Sequence, residues 1–348
     1  MSGAASLPGG VAPANFTGAA AAAFAQAGFG PNSIVYNGSG AFPAVTPGET
    51  LILAGAPGTV FNLPDPPPTL GGIYDPNGGD TINVGSQNIP IFLQTGLATG
   101  TVVNTNTGSD IVYAGGADTI NAGSGSDTVI GVAGNNTVIG GSGPIIVDGR
   151  NDVDLRFVGG SGAVSVIGGS GNSVLFGSTG SAGTYLQGGA GNSTLIGGSG
   201  TGPSTIGGGD NTTAFAAGTG PTTLIAGTGT SVLDGLTGKG VESFSTSPFA
   251  TTGTSALIAL NGAADTVVGG SGNSTVIGGA GPDTYAFLSG HAGGSETILG
   301  LKFGDKLVFG FYQGNAIASE GVTNGSDVIK LTDGTSITLA GFDHKLFS

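Results

Sequence analysis

The chain is 348 residues long, with 74 glycines, no cysteine and no tryptophan; only 8% of it is charged, and the formal net charge at pH 7 is −14. Disulfides and thiolate metal sites are therefore excluded, and a conventional globular core is not expected from so much glycine. So acidic a chain, whose first basic residue is Arg150, repels nucleic acid and anionic membranes, and cations are its natural partners.

Residues 1–105 form a compositional zone of their own, holding twelve of the seventeen prolines. Proline disfavours central strands, so this zone reads as a Pro/Gly-rich region that extends the later repeats irregularly, caps their first coil or docks onto another molecule. Asn15 is placed to cap a short helix over 19–27, and Ser33 to Tyr36, Thr50 to Ala54 and Thr59 to Leu63 read as short strands between turns. Gly78-Gly79-Asp80-Thr81-Ile82 is a fragment of the repeat that dominates the next segment. No Lys or Arg precedes Ala25, so the charged start of a cleaved secretory signal is not expected; no apolar run is long enough to cross a bilayer, so no membrane insertion is expected either.

From 106 to 237 a nine-residue phrase keeps restarting, with small insertions. Its eighth position reads Val129, Val138, Val166, Leu175, Leu195, Leu224 and Leu233, a column of branched apolar side chains at one phase. The period lapses over 238–259, where Val241-Glu242-Ser243-Phe244 reads as a linking strand. It resumes over 260–287, where Gly278-Gly279-Ala280-Gly281-Pro282-Asp283-Thr284-Tyr285-Ala286 approaches GGxGxDxUx, with U a large apolar residue. Residues 288–348 hold ordinary strand alternation, as in Lys306 to Phe309 and Ser336 to Leu339.

These phrases resemble the RTX family of secreted calcium-binding proteins. The resemblance implies an all-β fold, a parallel β-roll (β-solenoid) in which two nonapeptides make one coil of about eighteen residues and the U residue points inward. It also implies that 288–348 is a β-rich C-terminal cap and secretion module, read by type I secretion machinery, and that the protein is extracellular or at the cell surface.

In this family the glycine turns and the sixth-position Asp bind Ca2+, which takes six to eight oxygens. A site that needs carboxylates from neighbouring coils selects Asp265 with Asp283, eighteen residues apart, and Asp110 with Asp127, seventeen apart across a short repeat. Asp118 faces Asn136 in a half-charged version. Elsewhere Ile145, Val164, Ser173, Ser193, Thr222, Ser231 and Ser274 stand where a carboxylate would be, so few ions are expected, near the two ends of the repeat array. Turn-forming Asp on the surface is the plainer alternative. Asn172, Asn192 and Asn273 precede substituted positions and are expected to hydrogen-bond along the turns.

The ninth position faces outward yet carries Ile130, Ile139, Ile167, Phe176, Ile196, Ile225 and Ile277. Apolar stripes of this kind mark contact surfaces, and self-association through them and through the roll ends is expected. Catalysis is not expected: His291 and His344 lie in no HExxH sequence, and no GxSxG elbow occurs. An acidic and basic cluster, Asp152 and Asp154 beside Arg150 and Arg156, would suit a polysaccharide-acting solenoid. Thr119, Thr128, Thr137, Thr194, Thr266, Thr275 and Thr284 share the seventh position, which admits an ice-binding or adhesin-type roll as a further alternative. The reading reached from sequence is a secreted calcium-binding structural protein that folds outside the cell and assembles into a surface layer, filament or matrix.

Overall fold

The computed structural model describes residues 33–64, 69–86, 88–93, 99–235, 242–245, 255–260, 263–269, 272–289 and 294–347. The helix expected over 19–27 lies outside the described residues, as do Val241 and His291. Every regular element among the described residues is a short strand, and none is a helix able to cross a membrane. Two compact units divide the chain, residues 1–175 and 176–348, with the division inside the strand Ser173–Phe176.

The first unit is a parallel β-solenoid. One of its sheets stacks Ser33–Tyr36, Glu49–Leu53, Leu70–Asp75, Pro90–Leu93, Ile111–Ala114, Asp127–Gly131, Ile145–Asp148 and Val164–Ile167 in that order. The facing sheet stacks Val60–Asn62, Thr81–Asn83, Val102–Asn104, Thr119–Asn121, Asn135–Ile139 and Asp154–Val158. The proline-rich segment therefore winds as coils from Ser33 onward, hydrogen-bonded to the repeats.

The second unit repeats this plan. Thr184–Gln187, Ser204–Gly207, Thr222–Ile225, Glu242–Ser245, Thr266–Val268, Thr284–Leu288 and Lys306–Gly310 form one parallel stack. Asn192–Ile196, Asn211–Phe215, Thr230–Asp234, Ser255–Ala259, Asn273–Ile277, Ser295–Leu299 and Ser336–Ala340 form the other. Two antiparallel strands, Ser326–Leu331 and Ile317–Thr323, finish that second stack.

Strands of three to six residues suffice because alternate side chains need only reach the facing sheet. The eighth-position column is the core: Val129, Val138, Val166, Leu195, Leu224 and Val276 are at most 1% exposed. Each such side chain contributes about 1.5–3 kcal/mol through burial. Sixth-position side chains lie two residues earlier on the same inward face, so Ile145, Val164, Ser173, Ser193, Thr222 and Ser231 are buried as well. The ninth position points outward, leaving Ile139 and Ile277 exposed and the other apolar residues of that row half-buried.

An outward row not foreseen from sequence joins the proline-rich coils to the repeats. Asn83 Nδ2 donates to Asn62 Oδ1 at 2.7 Å, Asn104 Nδ2 to Asn83 Oδ1 at 2.6 Å, and Asn121 Nδ2 to Asn104 Oδ1 at 2.8 Å. The inner amides, Asn83 and Asn104, both donate and accept, so the row runs unbroken from coil to coil. It stops at Ile139, the register partner of Asn121.

Successive turns approach closely enough to require glycine. A Cβ on Gly125 would lie 1.6 Å from the carbonyl oxygen of Gly108 on the preceding coil, whereas one on Gly321 would meet nothing within 4 Å. Gly125→Ala should therefore lower calcium-loaded stability by about 2–3 kcal/mol, an overpacking cost, while Gly321→Ala stays within about 1 kcal/mol of the parent. Urea midpoints of the two variants, compared with the parent, check this.

Candidate metal centres

The nonapeptide turns place their sixth-position carboxylates inside the roll, against the expectation for turn-forming surface aspartates. Asp110, Asp118, Asp127, Asp265 and Asp283 are each at most 3% exposed, and Asn136 is 2% exposed. In the glycine turn the backbone N–H groups point inward, and the carboxylates accept from them. Gly115 and Gly116 both donate to Asp118 Oδ2 at 3.0 Å, and Gly279 donates to Asp283 Oδ2 at 3.2 Å.

Stacking then links each carboxylate to the coil before it. The Asp110 N–H donates to Asp127 Oδ1 at 3.0 Å, the Asp265 N–H to Asp283 Oδ1 at 3.2 Å, and the Asp118 N–H to Asn136 Oδ1 at 3.0 Å. All three residue pairs selected by sequence are thus neighbours on consecutive coils. They do not form one cluster: Asp110 and Asp127 open strands of one sheet, while Asp118 and Asn136 open strands of the facing one.

Asp127 is further held by Thr105, whose hydroxyl donates to Oδ2 at 2.8 Å. Asp110 accepts the Ile89 N–H at 2.9 Å on Oδ1, but its buried Oδ2 has no partner. Burial pushes the Asp110 carboxyl up to about 7, with a further push from Asp127 and a partial offset from the Ile89 N–H. Burial also raises Asp118, against the pull of three backbone N–H donors.

Asn136 does more than stand in for an aspartate. Its Nδ2 donates to Asp152 Oδ1 at 2.8 Å, so the amide relays between the Asp118 backbone and a second carboxylate. Asp152 is 1% exposed with Oδ2 unpartnered, and burial pushes it up to about 8 despite that bond. This separates the cluster considered for polysaccharide chemistry. Arg150 is exposed and forks onto Asp148, with Nε to Oδ1 at 2.8 Å and Nη2 to Oδ2 at 2.5 Å, while Asp154 Oδ1 accepts the Asn172 N–H at 2.6 Å.

Further acids belong to the same turns. Asp80 accepts the Thr59 N–H at 3.0 Å and leaves Oδ2 buried and unpartnered; burial and the neighbouring Asp75 raise its carboxyl. Glu242 occupies the backbone position between Thr222 and Asp265, and Asp305 follows Asp283, whose N–H donates to Asp305 Oδ1 at 2.9 Å. Acidic residues thus occupy four consecutive coils of that stack. On the facing stack Glu296 is register partner to Ser274, whose hydroxyl donates to Oε2 at 2.9 Å, and its buried Oε1 has no partner.

Where the carboxylate is missing, serine takes over its bond to the turn. Ser173 Oγ accepts the Gly169 N–H at 2.8 Å, Ser193 the Gly189 N–H at 3.1 Å, and Ser231 the Gly227 N–H at 2.8 Å. These coils close without charge. Asn273 Oδ1 accepts the Ser295 N–H at 3.3 Å, the cross-coil bonding expected of the preceding asparagine.

Among the described residues no group of three or more His, Asp or Glu converges on one point. A hard cation here would take one or two carboxylates and complete its shell with turn carbonyls and water. The residues fit that demand: orphaned oxygens of Asp80, Asp110 and Asp152 are buried beside glycine turns, and a bound cation would relieve the burial that now raises those carboxyls.

A family model for the RTX calcium-binding nonapeptide repeat in four copies matches residues 95–129, 114–144, 156–182, 179–201 and 261–291. The chain carries such repeats in several copies. No curated protein matches the chain.

Glu296 gives a pH test. Burial pushes it up to about 7, whereas the unfolded carboxyl titrates near 4.5. Between those values the folded chain holds a proton that the unfolded chain releases, so stability falls as pH rises through this window. Glu296→Gln should match the parent near pH 4.5 and exceed it by about 3 kcal/mol at pH 8. Urea unfolding at fixed calcium across this range checks the slope.

Proposed function

We propose that this calcium-binding β-roll is an extracellular structural protein, exported by type I machinery, which folds on meeting calcium and then self-associates. RTX repeats are typical of type I-secreted extracellular proteins. The observation that carries the reading is the stacking of Asp110 on Asp127 and of Asp265 on Asp283, with the carboxylates turned inward.

In low calcium those carboxylates face one another in a dry turn, which favours the open chain in which water solvates them. A bound divalent ion reverses the balance: an ion held only by the folded state adds about 2.7 kcal/mol at a hundred times its dissociation constant, and each further site adds its own increment. Folding and cation binding become one event on leaving the cell.

Self-association is supported by the half-exposed ninth-position row and by the exposed Ile139 and Ile277. A scaffold is favoured over polysaccharide chemistry because Asp152 is turned inward to Asn136 and Arg150 is engaged by Asp148.

In millimolar calcium the purified chain should show a strong β signal in circular dichroism, lost on chelation and recovered on readdition. Electron microscopy of the calcium-loaded sample should then show sheets or filaments. Persistent monomers would refute assembly, and a spectrum indifferent to chelator would refute the coupling.

A further inference from the structure

The last coil of the acidic column already contains a cation of its own. Lys302 Nζ donates to the Gly279 carbonyl oxygen at 2.7 Å and to Asp305 Oδ1 at 3.2 Å, and lies 3.5 Å from Asp283 Oδ2. A turn carbonyl and the sixth-position carboxylates of two successive coils are the oxygens that a calcium ion between these coils would use.

We propose that Lys302 is a tethered substitute for calcium, which closes the step between the Asp283 and Asp305 coils without metal. This inference rests on the calcium reading of the neighbouring coils.

An ammonium has three donors, and three oxygens surround this one. Both carboxylates are buried, with side chains 0% exposed, whereas the lysine side chain is 35% exposed and enters from the surface. The lysine is also fixed locally. Its backbone N–H donates to Asp305 Oδ2 at 3.0 Å, and the Asp305 N–H returns to the Lys302 carbonyl at 3.2 Å. A calcium ion needs the same oxygens at about 2.3–2.6 Å, so ion and ammonium exclude each other. The contrast lies in the other unit: the Asp110 and Asp127 step has no such ion pair among the described residues, and Asp110 Oδ2 is left without a partner.

Calcium stoichiometry of the full chain, by equilibrium dialysis at saturating calcium, tests the assignment. Lys302→Met should bind one more calcium per chain than the parent. At limiting calcium, just enough to fold the parent, its melting midpoint should fall below the parent's, and saturating calcium should restore it. Lys302→Arg, which keeps the charge, should retain parental stoichiometry. Should Lys302→Met fail to fold, Asp305→Asn in the parental background decides: it should leave bound calcium unchanged, whereas Asp265→Asn should remove one ion. Loss of an ion from Asp305→Asn overturns the proposal, as does a folded Lys302→Met with parental stoichiometry. A parent chain that binds no calcium sinks the calcium reading instead, and the Lys302 assignment is then decided by the chelator midpoints of the Met and Arg variants.

Discussion

Everything in this molecule follows from turning the sixth residue of each turn inward. Strand alternation puts that side chain on the same face as the core residue two positions later, so a carboxylate there is buried whether or not it has a counter-charge. Parallel stacking then brings the next coil's sixth residue directly against it. Burying an unpaired carboxylate costs several kcal/mol, so each coil must resolve the same problem.

The chain resolves it in four ways. Asp110 and Asp127 leave an oxygen free for a hard cation. Glu296 is held toward its protonated form by burial, with a serine hydroxyl donating to it. Ser173, Ser193 and Ser231 discard the charge but keep the hydrogen bond to the glycine N–H four residues earlier. Lys302 brings an ammonium to Asp283 and Asp305. A repeat that has lost its aspartate is therefore not a damaged coil: the backbone bond survives, and only the dependence on a cation is lost.

This explains what the sequence made legible. The inward apolar column of the repeats and the pairing of Asp110 with Asp127 and Asp265 with Asp283 depend on phase within the repeat, and phase is visible when coils are seventeen or eighteen residues long. Asp80, Glu296 and Asp305 lie one coil from Thr59, Ser274 and Asp283 but 21, 22 and 22 residues away, because the turns between them are longer. A fixed spacing passes over them, although the phrases Gly78-Gly79-Asp80-Thr81-Ile82 and Gly304-Asp305-Lys306-Leu307 carry the glycine-acid signature. Parallel stacking fixes which strands pair and leaves turn length free, so insertions hide neighbours without disturbing the ladder. Lys302 and the asparagine row were invisible for another reason: both depend on which residue the next coil presents, which no single repeat contains.

Burial also changes the meaning of the net charge. The chain has 21 Asp and Glu residues, and among the described residues ten are buried: Asp75, Asp80, Asp110, Asp118, Asp127, Asp152, Asp265, Asp283, Glu296 and Asp327. The formal −14 therefore describes the unfolded chain far better than the folded surface. Before folding, the whole charge is solvated and self-repelling, which opposes collapse and association. Once the inward carboxylates are matched by cations, protons or Lys302, the outer faces present half-buried isoleucines with few charges between them. The ions that close the coils also remove the repulsion between copies, so in the proposed assembly folding and association share one trigger and need no separate signal.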